Sequence, residues 1–229
     1  MALPSGRRKI LPLADVPSSR REQAGPAVTR LAAAAGVALL HLGAYLLVTR
    51  VNAARPESQL WELALPVDAV IPHLAGTWPL YWIVYPFVPL GGWLAISRMA
   101  RPAYRRALAA YVAIIFVGAC VQLLVPARAP WPVDAAPMQR AYHESGLVLP
   151  YANLPSMHVA FATLTAALLT SALPGRVARS AAVAAAICIT AGTLTLKEHF
   201  VLDAVTGCLL GLAAWRWWLR GAARRAPSA

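Results

Sequence analysis

The sequence predicts an all-α, polytopic membrane protein with six transmembrane helices, and three observations carry that prediction. The chain of 229 residues is 59% hydrophobic with a mean hydropathy of +0.56, well above an ordinary globular domain. Only 13% of its residues are charged, and the apolar ones gather into runs near the roughly 20 residues of helix that cross a bilayer. Lysine and arginine then fall between those runs with a one-sided bias. A soluble domain with unusually apolar helices accounts for the first two observations but not for the third.

The first 26 residues are polar and rich in arginine, proline and serine, so residues 1–26 form a basic tail, poorly ordered at its start. No small-residue cleavage site follows the run Leu31 to Val48, which predicts a retained first helix at about 29–49 instead of a removed signal peptide. The second span, about 74–96, contains Pro79, Pro86 and Pro89 and is expected to be irregular and kinked. Neighbouring helices or a cavity must satisfy the carbonyls freed there. Further spans follow at about 107–125, 157–173, 179–196 and 200–219, dominated by alanine and leucine, both strong helix formers. These six helices make one transmembrane domain, 27–220, before a short tail, 221–229.

Charge orients the bundle. One side collects Arg7, Arg8, Lys9, Arg20, Arg21 and Arg30, then Arg98, Arg101, Arg105 and Arg106, then Arg176 and Arg179, then Arg216, Arg220, Arg224 and Arg225, sixteen of the 21 basic residues. The other side receives Arg50, Arg55, Arg128, Arg140 and Lys197. Six spans alternate cleanly between these sets, which predicts both termini in the cytoplasm. The net charge of +12 is therefore a topology signal. The arginines flank apolar runs and form no basic stripe with interleaved aromatics, so nucleic acid is excluded as a partner. Cys120, Cys188 and Cys208 lie inside apolar runs without metal-type spacing and read as small hydrophobes.

The residues with chemistry fall on the outer side. Ser156 precedes a helical run as a natural N-cap, and the first-turn amides beyond it suit an anion, with His158 beside them. His199 and Asp203 are four apart, on one helix face. A carboxylate there can hold one imidazole nitrogen as a donor and leave the other as nucleophile or base. An aspartate inside a membrane helix costs roughly 2.5–3.5 kcal/mol at the centre and less near an end, so Asp203 needs a partner. The competing readings are an interfacial histidine, a structural buried pair and, for Arg128, a snorkelling side chain. A metal site built from His158, His199 and Asp203 lacks a further ligand at suitable spacing. The proline- and aromatic-rich connection 126–156 is long enough to cover such a site, and 52–72, with Trp61, Glu62 and Asp68, suits an interfacial helix.

Together these residues resemble the membrane-bound type-2 phosphatidic acid phosphatase superfamily, which shares its helical core with vanadium haloperoxidases. Pro155-Ser156-Met157-His158 is similar to the family's Pro-Ser-x-His motif, and His199 through Asp203 to its His-x-x-x-Asp, with Gly207 in the helix that follows. The resemblance spans roughly 65–219. It implies a metal-independent enzyme without cofactor, acting on a phospholipid, prenyl phosphate or sphingolipid phosphate in the bilayer. His199 would form a phosphohistidine, Asp203 would orient it, and His158 would protonate the leaving alcohol and then activate the acceptor. Ser156 with nearby amides would bind the phosphoryl oxygens. Where this chain departs from the family's arginines, Arg128 is the best remaining phosphate clamp and Lys197 is expected to supply part of the missing positive charge.

Two departures stand out. Arg128 and Pro130 are separated where the family has an Arg-Pro pair, and Thr193 stands where it has an arginine six residues before the histidine. They resemble the branch of inositol phosphorylceramide and sphingomyelin synthases, in which a lipid alcohol replaces water and the head group is transferred. A catalytically silent transport or assembly protein on the same fold is the alternative from another class. Alanine- and arginine-rich composition suggests a GC-rich bacterial source, hence an inner membrane with the site facing outward.

Overall fold

A computed structural model describes residues 27–132, 135, 137–146 and 149–223. The basic tail 1–26, with Arg7, Arg8, Lys9, Arg20 and Arg21, and the end of the C-terminal tail, with Arg224 and Arg225, lie outside the described residues. Helix is the only extended regular structure among those described; a lone parallel bridge pairs Trp61 with Ala127.

Helix α1 runs Ala27–Ala53. Its flank of Leu39, Leu42, Leu46 and Leu47 is exposed, which an isolated chain in water would not tolerate and a lipid-facing helix requires. After a 3₁₀ turn at Glu57–Gln59 and the short α2, Pro66–Val70, the second apolar segment is broken as its prolines predict. It contains α3 (Trp78–Trp82), α4 (Val84–Pro86), a π-helical turn at Phe87–Gly91 and α5 (Gly92–Ser97). Pro79 sits in the first turn of α3, where its missing N–H costs nothing. Pro86 and Pro89 lie where a donor is needed, and the ladder loosens to the wider π geometry.

Helix α6, Arg101–Leu124, starts six residues before the expected 107, because Pro102 initiates it and arginines at an end are compatible with helix. Within the outer connection lies α7, Pro137–Glu144. Then come α8 (Met157–Ala172), α9 (Arg176–Thr195) and α10 (Val201–Ala223).

Among the described residues, four helical segments are long and apolar enough to cross a membrane: Ala27–Ala53, Ala75–Ser97, Arg101–Leu124 and Arg176–Thr195. The other two expected spans differ from these for separate reasons. α8 has 16 residues, about 24 Å at 1.5 Å per residue, against a hydrocarbon core of about 30 Å. α10 has the length, but Asp203 at its start and Trp215, Arg216, Trp217, Trp218 and Arg220 at its end dilute its apolar character.

α8 is the centre of the molecule, with Ala160, Leu164 and Leu168 fully buried against its neighbours. α10 lies directly on it. A Cβ at Gly211 would come within 2.6 Å of the Ala160 carbonyl, and one at Gly207 would collide with the Ser156 carbonyl. Small residues let helix backbones approach where no hydrophobic drive separates helix from lipid. This contact sets the start of α8 beside the start of α10. At that end Asn52 donates to the carbonyls of Gln122 and Tyr151, and Gln122 donates to those of Ala152 and Pro155. Those two amides strap the segment before Ser156 to α1 and α6. At the opposite end Arg30 donates to the Ile96 and Ser97 carbonyls and Arg106 to that of Trp217.

Candidate active site

The α9–α10 connection presents His199. Thr193, Leu194, Leu196, Lys197 and Glu198 close a Schellman turn: Glu198 N–H donates to the Thr193 carbonyl at 3.0 Å and Lys197 N–H to that of Leu194 at 3.2 Å. The left-handed position of this motif normally takes glycine, yet Lys197 occupies it with φ 58°. Its ammonium explains the exception, donating to the carbonyls of Asp68 (2.8 Å) and Ile71 (2.6 Å). His199 N–H also reaches the Thr193 carbonyl, so the residue in the family's arginine position acts here through its backbone, fully buried.

α10 begins at once after His199, and carboxylates satisfy its first amides. Asp203 Oδ2 accepts from Phe200 N–H at 2.9 Å and Asp68 Oδ1 from Val201 N–H at 2.8 Å. Negative charge at a helix N-terminus is favoured by the orphan amides and the dipole. Asp203 is completely buried, and its Oδ2 lies 3.5 Å from His199 Nδ1. That is a contact short of a hydrogen bond. Among the described residues His199 Nδ1 and Asp203 Oδ1 have no hydrogen-bond partner. A buried pair left this loose is set to tighten when charge arrives at the ring.

His158 approaches from α8. Ser156 is its N-cap, buried, with its hydroxyl accepting from Val159 N–H at 3.4 Å, and its own N–H donates to the Asp203 carbonyl at 2.9 Å. The Leu154–Pro155 peptide is cis. His158 Nδ1 and His199 Nε2 are 3.4 Å apart. The two rings therefore meet edge to face, centroids 5.7 Å apart, and Asp203, His199 and His158 form one line. On its far side His158 Nε2 meets the Tyr81 hydroxyl at 3.2 Å.

α7 covers this pair. Tyr142 bonds to the hydroxyls of Tyr85 (2.7 Å) and Tyr81 (3.3 Å). Burial, reinforced by Tyr85, holds its phenol above the usual range, so it stays a neutral donor. The adjacent His143 bonds to Glu198 at 2.8 Å, Gln139 donates to the same carboxylate oxygen at 2.8 Å, and Trp131 stacks flat on His143 at 3.7 Å. Among the described residues of the outer connection, α7 and Trp131 thus pack beside the histidines through Tyr81, Tyr85 and Glu198.

Beside His199 opens a cleft of about 230 Å³, lined by Ala64, Leu65, Asp68, Ala69, Pro130, Lys197 and Phe200. Its wall is mainly apolar, with Asp68, Lys197 and His199 as its polar residues. The structure thus brings Ser156, His158, His199 and Asp203 together, while Lys197 lines the cleft beside His199 with its ammonium turned onto the Asp68 and Ile71 carbonyls. Arg128 stands apart: its half-exposed guanidinium lies 3.6 Å from Glu57 instead of on the histidines, although Pro130, two residues on, is in the cleft wall.

Sequence reasoning missed Tyr81, Glu198, Gln139 and the anchoring role of Asp68. Glu198 did carry a signal, since an acid beside an apolar run is expensive unless paired; the partners of Tyr81 lie 61 and 77 residues away and carried none.

A family model described as the PAP2 superfamily matches residues 74–217, which contain every residue of this line and its cover. Comparison with curated proteins and with solved structures gave no match.

Proposed function

This chain belongs to the PAP2 superfamily, and from that premise we propose that it cleaves a lipid phosphate ester by double displacement through a phosphohistidine. The observation that carries the reading is the line Asp203–His199–His158, with separations of 3.5 and 3.4 Å. Asp203 keeps the proton of His199 on Nδ1, so the Nε2 lone pair faces the substrate and attacks phosphorus. His158 gives a proton to the leaving oxygen, then takes one from the acceptor that hydrolyses the intermediate. An ammonium has three donors; two of Lys197's are committed to carbonyls, and the third faces the phosphoryl oxygens in the cleft. The first-turn amides of α8 and the exposed guanidinium of Arg128 complete the electrostatic stabilisation.

The apolar cleft wall supports a lipid substrate, and the broader topology follows from charge. α8 and α10 complete six spans, with both termini in the cytoplasm and the histidines facing out of a bacterial inner membrane. Water and a lipid alcohol compete at the second step only, so hydrolysis and head-group transfer share the first.

The test uses purified full-length protein in detergent with labelled phosphatidic acid, prenyl diphosphate and phospholipid, each with and without diacylglycerol or ceramide. Released phosphate marks hydrolysis, and a labelled lipid product marks transfer. His199→Ala is expected to lower turnover by at least about 10³-fold, as loss of an activated nucleophile does. Acid-labile, base-stable phosphate should be trapped on His199. Turnover unchanged in His199→Ala would sink the mechanism.

A further inference from the structure

The pattern of donors around His158 has a single consistent polarity. A carboxylate only accepts, so the proton of His199 belongs on Nδ1, towards Asp203 Oδ2 at 3.5 Å, and its Nε2 is a lone pair. The contact of 3.4 Å between that lone pair and His158 Nδ1 then needs its proton from His158. A neutral His158 with Nδ1–H has an acceptor at Nε2, and what faces it is the Tyr81 hydroxyl at 3.2 Å. Tyr81 must therefore donate. Its oxygen accepts from Tyr142 at 3.3 Å, and Tyr142 in turn from Tyr85 at 2.7 Å, whose residue reaches the surface. Tyr81 itself is 1% exposed, so its hydroxyl has no solvent alternative.

Resting on the phosphohistidine reading above, we infer that Tyr81 is the positioning residue for the acid–base step. Its hydroxyl, oriented by Tyr142 from α7, fixes the His158 ring so that Nδ1–H points at the reacting phosphoryl group. A phenol suits this task because it serves both protonation states. It donates to Nε2 of the resting Nδ1–H ring and accepts from Nε2–H once that nitrogen is protonated, in the imidazolium and in the neutral ring left after Nδ1 has given its proton. The second proton enters at Nε2 along the Tyr85–Tyr142–Tyr81 hydroxyls, each passing its own proton on and taking one from the side of solvent. The imidazolium then gives its Nδ1 proton to the leaving oxygen as the P–O bond breaks, and the ring stays neutral with Nε2–H held by Tyr81. It takes a proton back at Nδ1 from water or the acceptor alcohol as that oxygen bonds phosphorus and the P–N bond to His199 breaks. An amide or carbonyl at the same place would favour one state only. Gly192 secures the position: a Cβ there would come within 2.6 Å of the Tyr81 backbone nitrogen, so α3 is seated directly on α9.

The test compares wild type with Tyr81→Phe and Tyr142→Phe as full-length protein in detergent. Single-turnover alcohol release is measured from an alkyl phosphate such as phosphatidic acid and from an aryl phosphate such as p-nitrophenyl phosphate. An alkoxide needs the acid and a nitrophenolate does not. Tyr81→Phe is expected to slow alkyl release at least about 10-fold and aryl release less than about 3-fold. Tyr142→Phe should show the same selectivity with a smaller loss, and it carries the test if Tyr81→Phe does not fold. Equal losses on both esters, or none, would overturn the inference. ¹⁵N-histidine NMR, with His158 assigned through His158→Ala, reads the same point without substrate. Wild type should show the Nδ1–H form and Tyr81→Phe a mixture of tautomers; identical spectra also overturn it. If wild type cleaves no ester the phosphohistidine reading fails by itself, and the spectra still decide the role of Tyr81.

Discussion

His199 and His158 meet at one point but are held in opposite ways. His199 is held mainly by its own stretch of chain, through the Thr193 carbonyl six residues before it, Asp203 four residues after it and a Schellman turn in between, with Asp68 and Ile71 the distant groups that brace this turn and the start of α10. His158 has only its helix start in common with its neighbours in sequence. Its free ring nitrogen is met by Tyr81, 77 residues away, which depends in turn on Tyr142 in a separate helix. Local support survives movement of the outer connection. Long-range support ties His158 to the placement of α7. In this molecule the side of the proposed nucleophile is largely built in, and that of the proposed acid is assembled.

The sharpest way to break that contrast is on the local side. Asp203→Asn keeps the size of the side chain but turns one acceptor oxygen into a donor, so the ring can settle with its proton on Nε2. Turnover should fall by about 10²–10⁴-fold on alkyl and aryl esters alike, because the nucleophile itself is lost in the wrong tautomer. Equal sensitivity to leaving group here, beside the selective effect at Tyr81, is what separates the two supports. A selective loss in Asp203→Asn would erase the distinction.

A smaller effect is expected where α7 meets the local side. Glu198 is buried and accepts from both Gln139 and His143. Glu198→Ala takes an acceptor from the buried Gln139 amide, which keeps the Leu196 carbonyl, and from the half-buried His143, at about 1–3 kcal/mol in all. Thermal unfolding in detergent should start lower, and protease should nick the 126–156 connection sooner. Since Tyr142 is next to His143, alkyl turnover should fall more than aryl. Unchanged stability and cleavage would show that α7 is held by its tyrosine alone.

The same asymmetry explains what was legible in the sequence. His199 and Asp203 were readable because a helix imposes their spacing, and Ser156 because capping is local. The prolines told that the second span would break, though not that it would pass through a π turn. The starts of α6 and α9 were harder to place than their ends: α6 begins with an arginine-proline pair that looks like a loop and α9 with Arg176, whereas both C-terminal ends fall within a residue of the expected 125 and 196. α8 read as a span from its composition, but its 16 residues reflect a helix buried by protein, which need not match the bilayer. The tyrosine cover was invisible because no period or spacing connects residues 81, 142 and 158. Their meeting is a product of tertiary packing alone.

Arg128 supplies the smallest and last distinction, since it belongs to neither support. Its ion pair with Glu57 joins side chains that are 55% and 84% exposed, and exposed pairs contribute little after screening and side-chain entropy. Arg128→Ala is therefore expected to leave the unfolding temperature in place. If the guanidinium swings from Glu57 to a bound phosphate, the loss appears as a few-fold rise in KM with kcat nearly constant, the signature of binding shared by ground and transition states. Glu57→Ala, which frees the arginine, should lower KM slightly in the same assay. A kcat effect at Arg128 would instead place it on the transition state. A KM unmoved by either substitution would leave Lys197 and the α8 amides to hold the phosphate alone.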